Sequence, residues 1–266
     1  MPLSHIIIAV GAILVFSCLF SMVGQGGGVL YVPVLIALGM TVHDAATTSL
    51  FIIVALSLSA SLIYRKSRTV DWKLALVLEP PTIALAFVGG MLSNHINAAA
   101  LRFVFAGVLF LTVFFMARPV REHGQASRRG WGHWHRKVGE HDYTVRLPGL
   151  VPVTAGAGFI AGMIGVAGGI FKLPAMVLVG RVPIRIAIGT SALMIGFTAL
   201  AGLSGHLIGG SFDPKVALPL AAAAFIGGRT GSTLSRRVQA HHLRTFFTVM
   251  LFLTALWMLV STIQTL

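Results

Sequence analysis

Apolar residues fall into ten blocks along this chain, and polar residues are confined almost wholly to the gaps between them. In the first half the blocks cover 5–23, 28–40, 44–64, 72–92 and 99–117; in the second they cover 148–164, 169–180, 186–207, 215–235 and 244–262. All but two of them approach 20 residues or exceed it, which at about 1.5 Å per residue spans the roughly 30 Å hydrocarbon core of a bilayer. Backbone groups in lipid must be satisfied within their own segment, so blocks of this kind predict membrane helices. The two short blocks each begin within a run that breaks helices, GQGGGVLYVP (Gly24 to Pro33) and GVAGGIFKLP (Gly165 to Pro174). Glycine holds the first, fourth and fifth places and proline the tenth in both. A broken helix is tolerated in a membrane only where it is buried in protein or lines a cavity, and matched breaks in two halves point to a transport site.

The match between the halves extends well past the glycines. At a constant spacing of 142, Ala45, Thr48 and Ser49 recur as Ala187, Thr190 and Ser191, and Asp71 and Lys73 as Asp213 and Lys215. Gly89, Leu92 and Ser93 recur as Gly231, Leu234 and Ser235, and Leu101, Arg102 and Phe105 as Leu243, Arg244 and Phe247. The glycine runs themselves are 141 apart. Charged residues and glycines in register are not what unrelated apolar segments produce, so the chain reads as a duplication. Residues 1–117 form a first transmembrane repeat, 118–147 a basic connection, and 148–266 a second repeat.

Charge decides how the repeats should sit. Arg65, Lys66 and Arg68 follow the third block, whereas the equivalent stretch Ile208 to Pro214 has no base. Arg236, Arg237 and Arg244 follow the ninth block, where the first half has Ser93, Asn94, His95 and Asn97. Arg181 and Arg185 stand where the first half has Thr41 to Asp44. Bases thus alternate along each half and swap between halves, which by the positive-inside rule puts the halves in opposite orientations. Opposite orientation needs an odd number of crossings in each, so the expectation is an all-α membrane protein of two inverted repeats of about five helical segments, the short ones meeting near the midplane. Both termini then lie outside and the central connection, with seven bases, lies in the cytoplasm; Arg102 and Lys215 are the exceptions to the pattern. A four-plus-four count with re-entrant glycine segments would make the repeats parallel and leave the alternation unexplained.

Composition agrees. The chain is 56% hydrophobic and 10% charged, against about 25% charged in a soluble domain. Its net charge of +13 resides in the connections, which points to a membrane surface rather than nucleic acid. The first block lacks a basic leader and reads as a retained span. A single cysteine, Cys18, excludes an internal disulfide and a cysteine-cluster metal site.

The paired motifs, GQGGGVLYVP with HDAATTSL (His43 to Leu50) and GVAGGIFKLP with AIGTSA (Ala187 to Ala192), resemble the TauE/SafE-type sulfite exporters, integral membrane permeases also described as DUF81-type. The duplication and span pattern carry the resemblance over nearly the whole chain. It implies a secondary carrier of small sulfur-containing anions such as sulfite or sulfonates, usually outward across the bacterial inner membrane, with no enzymatic chemistry and no cofactor. The halves depart from each other at Tyr31, where the second has Lys172, and HDAATTSL lacks the glycine of AIGTS.

Several residues are candidates for contact with such an anion. If the short segments start half-helices, the free N–H groups at Gly26, Gly27 and Gly28 and at Gly168 and Gly169 would face the breaks and cradle an oxyanion, or else these glycines serve close packing. Lys172 lies in an apolar setting and either binds the anion or snorkels to an interface. Thr48 and Ser49, with Thr190 and Ser191, either cap their helices or donate to the ligand. Gln25 offers an amide and Tyr31 a hydroxyl. Glu79 and Arg229 fall at a shared depth and are expected to pair, either structurally or with Glu79 as a proton-coupling group. His133, His135 and His141 with Trp131 and Trp134 suit a segment on the membrane surface better than a metal site, and no metal is expected. His43 and His206 fall near outer helix ends. Two rival functions remain in view: an anion channel, and an intramembrane serine hydrolase suggested by Gly202-Leu203-Ser204-Gly205-His206.

Overall fold

The computed structural model describes residues 3–24, 26–117, 132–208, 212–235 and scattered positions between 249 and 260. The first half forms α1 (Leu3–Val23), α2 (Gly28–Ala37), α3 (Val42–Lys66), α4 (Trp72–Ser93) and α5 (Ala98–Ala117). A two-stranded antiparallel hairpin, β1 (His133–Val138) and β2 (His141–Arg146), follows. The second half forms α6 (Leu147–Ile164), α7 (Gly169–Pro174), which runs into a π-helical turn at Ala175–Val179, α8 (Ile184–Leu207) and α9 (Pro214–Leu234). Helix starts follow the capping residues: Thr41 accepts from the Asp44 N–H, Asp71 from the N–H groups of Lys73 and Leu74, and Asp213 from that of Lys215. The tenth apolar block, 244–262, lies largely outside the described residues.

Among the described residues, five helices are long and apolar enough to cross a bilayer: Ser4–Met22 within α1, α3, α4, α6 and α8. The ten residues of α2 extend about 15 Å, near half the hydrocarbon thickness. They nevertheless return the chain, because the Leu38 carbonyl after α2 lies 3.1 Å from His5 Nδ1 at the start of α1.

Small residues set the packing. Gly158 and Gly162 of α6 lie against the carbonyls of Thr82 and Ala86 of α4, so the two helices run in the same direction. Helices α4 and α8 also run in parallel, since Asp71 meets Thr190 and Glu79 meets Thr198, each pair 119 residues apart. On the other side α9 runs parallel to α1 (Gly227 on Leu14, Gly231 on Cys18) and to α3 (Gly228 on Leu56, Ser235 beside Tyr64). Helices α3 and α8 cross antiparallel, with Leu50 near Gly202 and Ser57 Oγ 2.5 Å from the Ala192 carbonyl. The pairs α1–α9 and α6–α4, and likewise α3–α9 and α8–α4, are thus counterparts of one another. Gly89 sits on the Phe159 carbonyl, and its counterpart Gly231 on that of Cys18. Such close backbone approach is how helices associate where lipid removes the hydrophobic drive.

The hairpin caps one end of this bundle. Tyr143 and Val145 are buried with Leu74, Leu78 and Met176. The central connection, expected as a simple polar loop, therefore contains a folded element over 133–146; alternation along β2 supplies its buried face. The Arg65 guanidinium lies over Trp72, the Arg68 carbonyl lies near Gly139, and Tyr64 reaches Ser235, so the connections at 65–68, 132–146 and 235 share one end. Asp44, Ser93, Asn94 and His206 gather at the other, where Asn94 donates to the His206 carbonyl and His43 lies 3.0 Å from that of Ser93.

Candidate functional site

Both helix breaks are built on one backbone plan. Gly24 and Gly165 take left-handed conformations, φ +66° and +81°, that only glycine adopts without cost. A Cβ at Gly24 would lie 2.5 Å from the Ile188 carbonyl oxygen, and one at Gly165 2.5 Å from Ala46 Cα. Ala46 and Ile188 are themselves 142 apart, so each break rests on the same turn of the other half's long helix. The helix-end carbonyls are satisfied across the same contact. Ser191 Oγ donates to the Gly24 carbonyl at 2.7 Å and Ser49 Oγ to the Gly165 carbonyl at 2.8 Å. This reciprocal pair assigns Ser49 and Ser191 to holding the breaks shut, and it removes an acceptor that would be costly to bury alone.

What fills the two breaks differs. A helical side chain points back toward the N-terminus, so residue i+4 covers the cap. In the first break Tyr31 folds over Gly27 so closely that a Cβ there would overlap its ring, and its hydroxyl lies 2.6 Å from Ser17 Oγ of α1. In the second, Lys172 runs back past Gly168, with Cε 3.8 Å from where a Cβ would sit, and reaches α4 and α8. Its Nζ donates to Glu79 Oε1 at 2.5 Å, to the Met194 carbonyl at 3.3 Å, and to Thr198 Oγ1. Thr198 in turn donates to Glu79 Oε2 at 3.1 Å. Lys172 and Thr198 are fully buried and Glu79 is 5% exposed. The result is a closed, net-neutral triad contributed by α4, α7 and α8.

The other described candidates lie in or beside the breaks. Gly26, Gly28 and Gly169 are buried at the breaks, and a Cβ at Gly28 would meet Val166 Cα at 2.8 Å, so close packing accounts for that glycine. Thr48 is buried in the first turns of α3. Thr190 accepts the Asp71 N–H at 2.9 Å and ties α8 to the start of α4. Gln25 lies outside the described residues.

With that geometry in place, comparison with known proteins decides the family. The family model for the sulfite exporter TauE/SafE matches residues 8–258. The chain belongs to the TauE/SafE family. It is 28% identical over 234 residues, 82% of this chain and 84% of the relative, to the probable membrane transporter protein YunE of Bacillus subtilis. It is 24% identical over 255 residues, 90% of each chain, to a probable membrane transporter protein of Methanocaldococcus jannaschii. It is 27% identical over 223 residues, 80% of this chain and 74% of the relative, to the probable membrane transporter protein YfcA of Escherichia coli. No solved structure matches. With five candidate spans, this member of the TauE/SafE family is a multi-pass membrane protein of a transporter family.

One expectation about this TauE/SafE chain is corrected, and one rival reading loses its geometric support. Glu79 pairs with Lys172, not with Arg229, which is exposed on α9. Equal depth in the chain order was a sound inference, but depth says nothing about which face of a helix a residue occupies. The serine-hydrolase reading also fails on geometry. Ser204 is exposed and donates to the Leu200 carbonyl, whereas His206 is buried against the Gly162 carbonyl at 2.9 Å. Among the described residues no cluster of three or more metal-ligating side chains occurs. Trp131 lies outside those residues, while Trp134 stacks under Arg136 at 4.5 Å.

Sequence reasoning missed three elements. Thr198 was visible only as the residue eight beyond Thr190, matching Glu79 eight beyond Asp71 on a parallel helix. Ser17 had no signal beyond being a small polar residue in an apolar block. The third is a polar knot at the hairpin: the buried Asp71 carboxylate accepts Arg136 Nε at 2.9 Å, Arg136 Nη2 at 2.6 Å and Tyr143 Oη at 2.7 Å. Burial raises the Asp71 pKa, but these donors and the Leu74 N–H outweigh it and hold the carboxyl below its ordinary value. Burial and the adjacent carboxylate push the Tyr143 hydroxyl up, so it stays a donor.

Proposed function

We propose that this chain is a secondary carrier of small anions, sulfur-containing ones above all, working by alternating access between upside-down halves in a bacterial inner membrane. In this reading the basic end with the hairpin faces the cytoplasm and both termini face out. The observation that carries it is Lys172. A fully buried cation at a helix break, inside a membrane protein, holds a charge whose natural exchange partner is an anion. The antiparallel crossing of α3 and α8, counterparts in the duplication, supports the inverted arrangement. Thr198, which already touches both charged groups, supplies a hydroxyl for an oxyanion at the same place. Net direction, inward or outward, follows the gradients across the membrane.

The test is a survey of sulfite, thiosulfate, sulfonates and carboxylates for protection of the purified protein against heat, since a ligand of the native state raises its apparent stability. Sulfite or a sulfonate should protect the wild type and Arg181→Ala, but not Lys172→Ala or the charge-neutral double variant Lys172→Ala/Glu79→Gln. Equal protection of all four would refute the site. An anion channel built on the same residues would give ohmic single-channel currents; a carrier gives saturable flux.

A further inference from the structure

We propose that Glu79 is the resident anion of the central site: an incoming monoanion replaces it on Lys172 while Glu79 takes up one proton, so anion and proton move together. This deepens the carrier reading and rests on it.

The triad is net neutral and closed, with Lys172 Nζ holding Glu79 Oε1, the Met194 carbonyl and Thr198 Oγ1. Among the described residues, no other charged group is hydrogen-bonded to the triad. Helix α6 (Leu147–Ile164) carries no titratable residue, and α8, whose Arg185 and His206 lie near its two ends, meets the triad through Thr198 and the Met194 carbonyl. The next carboxylate along α4, Asp71, is eight residues away and engaged by Arg136 and Tyr143. Adding an anion to this site leaves one uncompensated negative charge in a low-dielectric interior, a state proteins avoid by changing protonation instead. Two anionic groups sharing one cation raise the proton affinity of whichever can accept it, and Glu79 is the group built to do so.

The balance is explicit. The Nζ–Oε1 contact breaks, a contact between Nζ and the anion forms, and one proton from solvent on the open side bonds to a Glu79 oxygen. Thr198 Oγ1 lies within reach of both carboxylate oxygens, 3.4 Å and 3.1 Å, and steadies the carboxyl as Lys172 leaves it. Release on the opposite side reverses each step, and the empty carrier returns neutral. The load is equivalent to a neutral acid, which favours singly charged sulfonates and hydrogensulfite over dianions such as sulfate. An alkaline cytoplasm then favours retention, and net export requires an outward anion gradient above about tenfold per pH unit of difference.

The experiment uses purified full-length protein and methanesulfonate, a strong-acid anion whose own charge is constant between about pH 5 and about pH 9. Its apparent affinity for the wild type, read from heat protection, should fall up to about tenfold per pH unit as pH rises. In weakly buffered solution a pH dye should report one proton taken up per anion bound. Glu79→Gln, nearly isosteric, should bind with no pH slope and take up no proton. Binding to the wild type without slope and without proton uptake overturns the proposal, as does a slope retained in Glu79→Gln. Should sulfite, thiosulfate and methanesulfonate all fail to protect the wild type at every pH, the carrier reading itself falls, and this inference with it.

Discussion

The break at Gly24 to Pro33 and the break at Gly165 to Pro174 share a frame and differ in their contents. In both, a left-handed glycine rests on the same turn of the opposite long helix, a serine 142 residues from its counterpart grips the last carbonyl, and the i+4 side chain folds over the cap. One of those side chains is Tyr31, held by Ser17; the other is Lys172, held by Glu79 and Thr198. The counterparts of Glu79 and Thr198 are Ala221 and Leu56, so the first break has neither the cation nor the residues that would tolerate one. The two breaks share a frame, and only one of them holds charge. A membrane interior supports a buried charge only with its complement, so cation and carboxylate stand or fall together.

The largest effect expected from breaking this contrast is on stability at the charged half. Lys172→Met leaves Glu79 buried without its cation and should cost about 3–5 kcal/mol, while Lys172→Met/Glu79→Gln should recover most of that in thermal unfolding of the detergent-solubilised protein. Tyr31→Phe, the matching change at the neutral half, should cost only about 1 kcal/mol. Comparable losses at both positions would mean that the halves are not divided by charge. The shared frame makes a second comparison possible. Ser49→Ala and Ser191→Ala each orphan one buried carbonyl and should each cost about 1–3 kcal/mol, by closely similar amounts. A wide disparity between them would show the frames to be unequal.

The smallest effect concerns the helix caps that begin α4 and α9. Asp71 is gripped by the hairpin, whereas its counterpart Asp213 is exposed. Because the folded Asp71 carboxyl is held below its unfolded value, its stabilisation is complete above the unfolded pKa, about 3.9, and fades as pH falls through the folded one. Acid should therefore loosen the hairpin only as pH falls below about 3.9, read as proteolysis or hydrogen exchange over 133–146. Asp71→Asn should loosen it already at neutral pH.

Much of this was legible in the chain itself. The apolar blocks located nine helical segments to within a few residues, because length and polarity leave lipid-soluble backbone no alternative to helix. The 142-residue register paired Ser49 with Ser191, and the glycine runs marked both breaks. The hairpin was hidden because its burial pattern is short and set among histidines and arginines that read as a solvated loop.

Sequence alone determined that the chain is a helical membrane protein and where its helices break, since these follow from local pattern and the cost of unpaired backbone in lipid. Tertiary structure alone decided that Lys172 finds Glu79 and Thr198, that Arg229 faces away, and that each serine serves the other half's break. Those outcomes turn on which face of each helix meets which neighbour, and apolar segments with glycine on several sides do not specify that face until they are packed.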